Sequence, residues 1–217
     1  MGASGPQSLR RDQTLLAKPG HIEILEPSEV RSIFAKVSED LIPFLALWFF
    51  GGHRKEEIAR LHWTQVRAAL KTGKLELTGD QAIKSGARSA AFLPVLRAWL
   101  EWYLRRNPSA SGPVLPIKYN GGRKLDNIQR TIRRQAKVRW VPNAGRHSYI
   151  SYRTKVADSV TTVADECGNS PSQIERHYRK KGVLKESAEE YFNILPPTES
   201  NVIPIPLESE QPAAVTA

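Results

Sequence analysis

The sequence predicts a mainly α-helical fold with a small three-stranded antiparallel sheet. Three observations carry this reading. Apolar residues recur at three- and four-residue spacing along most of the chain, as amphipathic helices require. Apolar–polar alternation is confined to one stretch, residues 74–93. Pro, Gly and Ser fall between the periodic stretches, where helices start and stop.

The elements follow in order. Residues 1–26 mix Gly, Pro, Ser and charge without steady periodicity and read as a flexible leader or linker. Ser28 is the expected N-cap of the first helix, which carries Val30, Ile33, Phe34 and Val37 at helical spacing. The apolar run 41–50 is too short to span a bilayer and reads as a buried core helix. Gly51-Gly52 breaks it, and a new helix carries Ile58 and Leu61. Residues 74–78, 81–84 and 88–93 are the expected three strands, separated by Gly79-Asp80 and Ser85-Gly86. Pro94 suits the first turn of a helix bearing Leu96, Leu100 and Leu104 on one face. After a loop-rich stretch, helices are expected over 125–138, 146–156 and 160–167, then one started by Ser170-Pro171, then one over 186–194. The folded domain therefore spans 27–195. Residues 196–217 form a Pro-rich tail, within which 202–207 is apolar enough to dock as a strand on a neighbour.

The chain has 217 residues, enough for one sizeable core, and 40% of them are apolar. Lys and Arg outnumber Asp and Glu by 32 to 22, a net charge of +10 that favours a polyanionic partner, nucleic acid first. The single cysteine, Cys167, excludes an intramolecular disulfide and fits a reducing compartment. With no catalytic cysteine context around it, Cys167 reads as a small packed residue. No secretory signal is apparent, so the expected location is the cytoplasm, in association with the nucleoid.

Chemistry-bearing residues stand at intervals along this frame. Gly52-His53-Arg54-Lys55-Glu56-Glu57 comes first, then Lys84-Ser85-Gly86, then Asn143-Ala144-Gly145-Arg146-His147, then Gly168-Asn169, then Tyr178. One tyrosine, two arginines and a lysine form a kit for attacking a phosphodiester. A phenol is a weak nucleophile near neutrality and needs cations around the phosphate.

These residues resemble the catalytic domain of the tyrosine recombinases, the phage integrase family, over residues 26–195. The segment 52–63 is similar to the family's first arginine box, Gly-x-Arg-x-x-Glu-x-x-x-Leu-x-Trp. Arg54 matches its catalytic arginine, and Glu57, one helical turn on, can hold that guanidinium. Lys84 resembles the hairpin lysine that protonates the leaving oxygen. Arg146-His147 resembles the second box, with His147 in a supporting role, and Tyr178 stands where the nucleophile is expected. The spacings from Arg146 to Asn169 and to Tyr178 match the family's without gaps. Each box alone is common; the four in order and in register are what carry the resemblance.

The chain departs from the pattern at two positions. Asn143 and Asn169 stand where the family usually has histidine (or tryptophan at the second). Asparagine can hydrogen-bond a phosphate oxygen but cannot titrate near neutrality. His147 and His177 are near in sequence and could take up the missing role. Two readings therefore stand. The first is a recombinase or integrase domain that cuts and rejoins DNA through a 3′-phosphotyrosyl intermediate, with catalytic residues Arg54, Lys84, Asn143, Arg146, Asn169 and Tyr178. The second is a catalytically attenuated or inactive DNA-binding relative. A basic nucleic-acid-binding helical protein unrelated to recombinases is a third reading, excluded only if those residues converge.

The resemblance implies double-stranded DNA as partner, a monomer without DNA and a homotetramer on synapsed DNA. It implies no metal and no cofactor, and no Cys/His metal cluster or phosphate-cradling glycine loop stands in the sequence. Relatives also carry a helical core-binding domain ahead of this one. Lys118, Arg123, Lys124, Arg130, Arg133, Arg134 and Lys137 crowd one stretch with a single acid, Asp126, and are the expected DNA-backbone contacts.

Overall fold

A computed structural model describes residues 22–119, 123–139 and 141–198. Most of the expected leader, and the tail with its 202–207 segment, lie outside the described residues. The packed part begins at Ile24 and Leu25, both buried. The Leu25 amide donates to Ser148 Oγ at 3.0 Å, and its carbonyl accepts from the Tyr152 hydroxyl at 3.0 Å.

Helix α1, Pro27–Lys36, starts earlier than expected. Its N-cap is Glu26, not Ser28, because Pro27 supplies the helical φ at the first position and Glu29 accepts the Glu26 amide at 2.8 Å. A 3-10 turn leads into α2, Ile42–Phe49, in which every residue is buried. This helix is the centre of the domain, flanked by α5 (Pro94–Arg106) and α7 (Ala144–Val156). Phe34 packs on Phe50 and Trp99, with centroids at 5.2 and 4.5 Å. Full burial of such a ring is worth about 1.5–3 kcal/mol, so this aromatic layer fixes how α1, α2 and α5 meet.

Gly52 then turns the chain with φ +64°. A side chain there would meet the Tyr149 ring at 2.3 Å, so both backbone and packing require glycine. The single helix expected next is two. Helix α3, Lys55–Ile58, is one turn long, and α4, Trp63–Thr72, follows it. Between them the backbone leaves the helix to bond elsewhere: Val114 donates to the Leu61 carbonyl at 2.8 Å and Trp63 to the Gly112 carbonyl at 2.9 Å.

The sheet has two strands among the described residues, not three. Strand β1, Lys74–Leu77, pairs antiparallel with β2, Arg88–Ala91, in the register Leu77↔Arg88. Residues 81–84 are turns. Gln81 and Ala82 both donate to the Thr78 carbonyl, and Ser85 and Gly86 to that of Ala82, so the backbone bonds are spent locally. Ala82 is buried, and Ile83 is exposed. Strand β1 packs on α4, and β2 on helix α8, Val160–Cys167.

Helix α6, Arg123–Ala136, packs on α1 through buried Ile128, Ile132 and Ala136. Helix α7 runs past α2 and against α10, Lys185–Phe192. Helix α8, Val160–Cys167, is capped by Ser159, which accepts the Thr162 amide at 3.1 Å. Helix α9, Pro171–His177, is capped by Ser170 as expected, and Tyr178 follows as its C-cap. The C-terminal segment returns to the core. Tyr191 donates to the Phe49 carbonyl at 2.5 Å, and Trp99 Nε1 to that of Ile194 at 2.7 Å. No helix among the described residues is long and apolar enough to cross a membrane.

Candidate functional site

Four separate segments deliver the expected residues to one place. Arg54 precedes α3, Lys84 sits on the β1–β2 loop, Asn143 and Arg146 open α7, and Asn169 and Tyr178 flank α9. Two pockets share Arg54, Lys84 and Tyr178. The first, of about 180 Å³, adds Trp48, Lys55, Glu56, Asn143 and Arg146. The second, of about 340 Å³, adds Gly168, Asn169, Gln173 and His177. All six residues expected to be catalytic therefore line one or both of these adjoining pockets. A larger, mainly apolar groove of about 510 Å³, lined by Phe34, Trp99, Trp102 and Ile194, has no such convergence.

Glu57 is the anchor. Its side chain is 3% exposed, and it accepts hydrogen bonds from two arginines. Arg54 Nη1 reaches Oε1 at 3.0 Å, and the Arg54 amide reaches Oε2 at 2.9 Å. Arg88 makes a two-point fork, Nη1 to Oε1 at 3.1 Å and Nη2 to Oε2 at 2.8 Å. Burial alone would raise the Glu57 pKa. The hydrogen bonds and charge of Arg88, with the Arg54 amide, outweigh it and hold the carboxyl at about 2. Glu57 is thus ionised across the neutral range.

The other side of Arg54 is held by the α8–α9 turn. Nη2 donates to Asn169 Oδ1 at 2.9 Å and to the Gly168 carbonyl at 3.2 Å. Gly168 has φ +61°, and a side chain there would meet Ser85 Cβ at 2.5 Å. That glycine lets the lysine loop close on the turn. Asn169 Nδ2 is buried with no hydrogen-bond partner among the described residues.

Arg146 departs from expectation in its posture. Its two terminal nitrogens donate to backbone carbonyls, Nη1 to Gly52 at 2.5 Å and Nη2 to Cys167 at 2.6 Å. The residue is 4% exposed, and its pKa is lowered, chiefly by burial. Its Nε has no partner among the described residues. Arg146 therefore knits the arginine turn to α8 and touches the pocket with little surface.

The Arg146 guanidinium carbon lies 5.4 Å from the centre of the Tyr178 ring. His147 meets the same ring edge-on at 5.4 Å. Burial, and then the charge of Arg146, lower the His147 pKa, so this imidazole is neutral near pH 7. His177 is exposed. The Tyr178 backbone is fixed on α7 through Ser151, whose hydroxyl donates to the Tyr178 carbonyl at 3.3 Å and accepts the Lys180 amide at 2.9 Å. The ring itself is half-buried, open to both pockets. Lys84 is exposed and makes no hydrogen bond or ion pair with any described residue.

Three participants were not legible as such. Arg88 is the second partner of Glu57, and its only sequence signal is a cation just beyond the Ser85-Gly86 turn. Ser85 links it to Arg54. Cys167 is fully buried as expected, its thiol pushed up to about 11 by burial, yet its carbonyl receives Arg146 and, at 3.4 Å, Arg54.

The basic stretch divides. Lys124, Arg130, Arg133, Arg134 and Lys137 are exposed on α6 and just beyond it, and none lines either pocket. The side chain of Arg123 lies outside what the structure describes. Lys118, also exposed, pairs with Asp40 at 2.5 Å and lies over the Tyr119 ring. Arg139 likewise turns inward to Glu29 at 2.8 Å.

No known protein-family profile matches this chain, and no curated protein matches it. Among solved structures, a crystal structure of XerA recombinase is similar, with a TM-score of 0.58 at 16% identity. The match covers 81% of this chain and 64% of that one. The chain thus has a recombinase-like fold, and it spans less than two thirds of the structure it matches.

Proposed function

We propose that this chain is a DNA strand transferase of the tyrosine-recombinase kind. The observation that carries the reading is the convergence of Arg54, Lys84, Arg146 and Tyr178, distant in sequence, on two adjoining pockets. In the proposed step the Tyr178 oxygen bonds to phosphorus while the bond from phosphorus to the 5′ oxygen breaks. Lys84 Nζ gives its proton to that oxygen, and the phenol proton leaves to water. Arg54, held from both sides, stabilises charge on the non-bridging oxygens, and Asn169 Nδ2 supplies a neutral donor. The ester keeps the bond energy, so rejoining needs no cofactor. Recombination by this route needs four protomers on two duplexes and a DNA clamp larger than this domain.

The test is covalent capture. Nicked duplexes drawn from a randomised pool should leave a protein–DNA adduct that survives denaturation, and Tyr178→Phe should abolish it. Wild-type protein that yields no adduct from the pool would defeat the enzymatic reading.

A second reading has a specific observation behind it. Asparagine stands at both usual histidine positions, and Arg146 is 4% exposed, with one N–H of each terminal nitrogen on a backbone carbonyl. On this reading the domain binds DNA but reacts slowly or not at all. General acid–base assistance is worth about a hundredfold to ten-thousandfold, so Asn143→His with Asn169→His should then raise adduct yield from near zero.

Both readings place DNA backbone against α6. Replacing Arg133 and Arg134 by Ala should lower the salt slope of binding by about 0.9 for each phosphate no longer neutralised. Fluorescence anisotropy at several salt concentrations measures it, and an unchanged slope would remove α6 from the interface.

A further inference from the structure

We propose that Ser85 and Arg88 are positioning residues that carry Lys84 to the scissile phosphate, by pinning its loop to the Arg54–Glu57 pair. This rests on the strand-transfer reading above.

Lys84 has no partner of its own among the described residues, so its placement depends on the loop that carries it. The loop's internal bonds, from Ala82 to Thr78 and from Ser85 and Gly86 to Ala82, give it shape but not attachment. Gln81 ties the loop's beginning to Arg60 and Gln65. The part that holds Lys84 is attached through its neighbour Ser85. That hydroxyl accepts from Arg54 Nη1 at 3.1 Å and from Arg88 Nη1 at 2.8 Å, and donates to Glu57 Oε1 at 3.3 Å. Two acceptances and one donation use the whole capacity of a hydroxyl. The group is therefore fixed in orientation, and no bonding site on it is left for substrate.

Arg88 closes the same knot from the sheet. It forks onto Glu57, bonds Ser85, and sends Nε to the Glu166 carbonyl of α8 at 3.2 Å. One guanidinium thus joins α3, the lysine loop and α8. Neither Ser85 nor Arg88 is among the residues lining the two pockets, so on this inference they act through the loop that carries Lys84. A loop held this way keeps the ammonium near its proton acceptor. A displacement of about 1 Å at such a group costs on the order of a hundredfold in rate.

The experiment separates positioning of the acid from plain support of the fold. Let the duplex captured in the adduct assay be made with sulfur in place of the scissile 5′ oxygen. The phosphorus–sulfur bond then breaks to leave a thiolate, which needs no proton, so Lys84 becomes dispensable. Ser85→Ala and Arg88→Lys should slow single-turnover adduct formation on ordinary DNA by about tenfold to a hundredfold. On the sulfur duplex both should regain most of the wild-type rate, as should Lys84→Ala. Ser85→Ala removes one hydroxyl and no charge, and thermal unfolding verifies that it folds. A defect of equal size on both duplexes, or none on ordinary DNA, overturns the inference while leaving the wild-type adduct intact. A wild-type protein that forms no adduct on either duplex overturns the strand-transfer reading itself.

Discussion

Glu57→Ala is expected to destabilise the protein by roughly 3–5 kcal/mol at pH 7, the cost of leaving buried charge without its partner. The carboxylate is 3% exposed and takes both Arg54 and Arg88. Without it, Arg88 keeps only a hydroxyl and a carbonyl, and Arg54 keeps neutral acceptors. Both cations then face Arg146 with nothing to offset them. Glu57→Gln should cost nearly as much, since its amide would turn N–H groups toward guanidinium donors. Urea denaturation measures the loss. A value under about 1 kcal/mol, typical of an exposed ion pair, would mean that water reaches the knot. Adduct formation should fall in parallel, because Arg54 loses the group that aims it.

How much of this is readable from the chain depends on whether the signal is local. Helix α2 is legible because an apolar run bounded by Gly51-Gly52 has few alternatives. The Ser170 cap is legible because the capping residue and its amide partner are three apart. The register of Arg146, Asn169 and Tyr178 is legible because α7, α8 and α9 have fixed rise and short turns. The third strand is not. Four residues are too few to tell alternation from successive turns, and the Thr78 and Ala82 carbonyls decide for turns. Likewise, two helix starts are possible at 26–29, and Pro27 favours the earlier.

The site's interior is less legible than its membership. One-turn spacing makes Glu57 a partner of Arg54, but a carboxylate has room for a second guanidinium. Which arginine takes that place depends on how β2 packs on α8. The sequence pattern places Arg146 among the catalytic residues, and it does not announce the Gly52 and Cys167 carbonyls that take one N–H from each of its terminal nitrogens. Backbone acceptors carry no residue identity, so no motif announces them. Lys118 belongs to a charge run in sequence and to Asp40 in space.

Acid should unfold this protein earlier than its carboxylates require, and His53 is the reason. Its ring is fully buried, and neither nitrogen has a hydrogen-bond partner among the described residues. Burial first, then the charge of Arg88, lower its pKa from 6.5 to about 3; Glu57 opposes this and Arg146 adds to it. Between those values the unfolded chain holds a proton that the folded protein refuses, so stability falls as pH drops below 6.5. From pH 7.5 to 5 the loss is about 2 kcal/mol from this residue alone. His147 adds in the same direction, since its pKa is also lowered. Glu57 has the same sign in a lower window. Its stabilisation is complete above 4.5 and is lost as pH falls toward about 2. The two windows overlap only below pH 4.5, so between 6.5 and 4.5 the histidine effect stands apart from that of Glu57. His53→Leu should flatten most of the decline between pH 7.5 and 5, and below 4.5 it should leave the part of the loss that belongs to Glu57. Denaturation midpoints at pH 7.5, 6, 5 and 4 test this. A wild-type stability that stays level down to pH 5 would show that His53 finds a proton-accommodating environment in the folded chain. The sequence offers one reason to tolerate such a residue. His53 sits between the Gly52 turn and Arg54, within reach of the charges of Arg88 and Arg146. A further cation there would repel Arg88 and Arg146, so the fold gains from keeping this ring neutral.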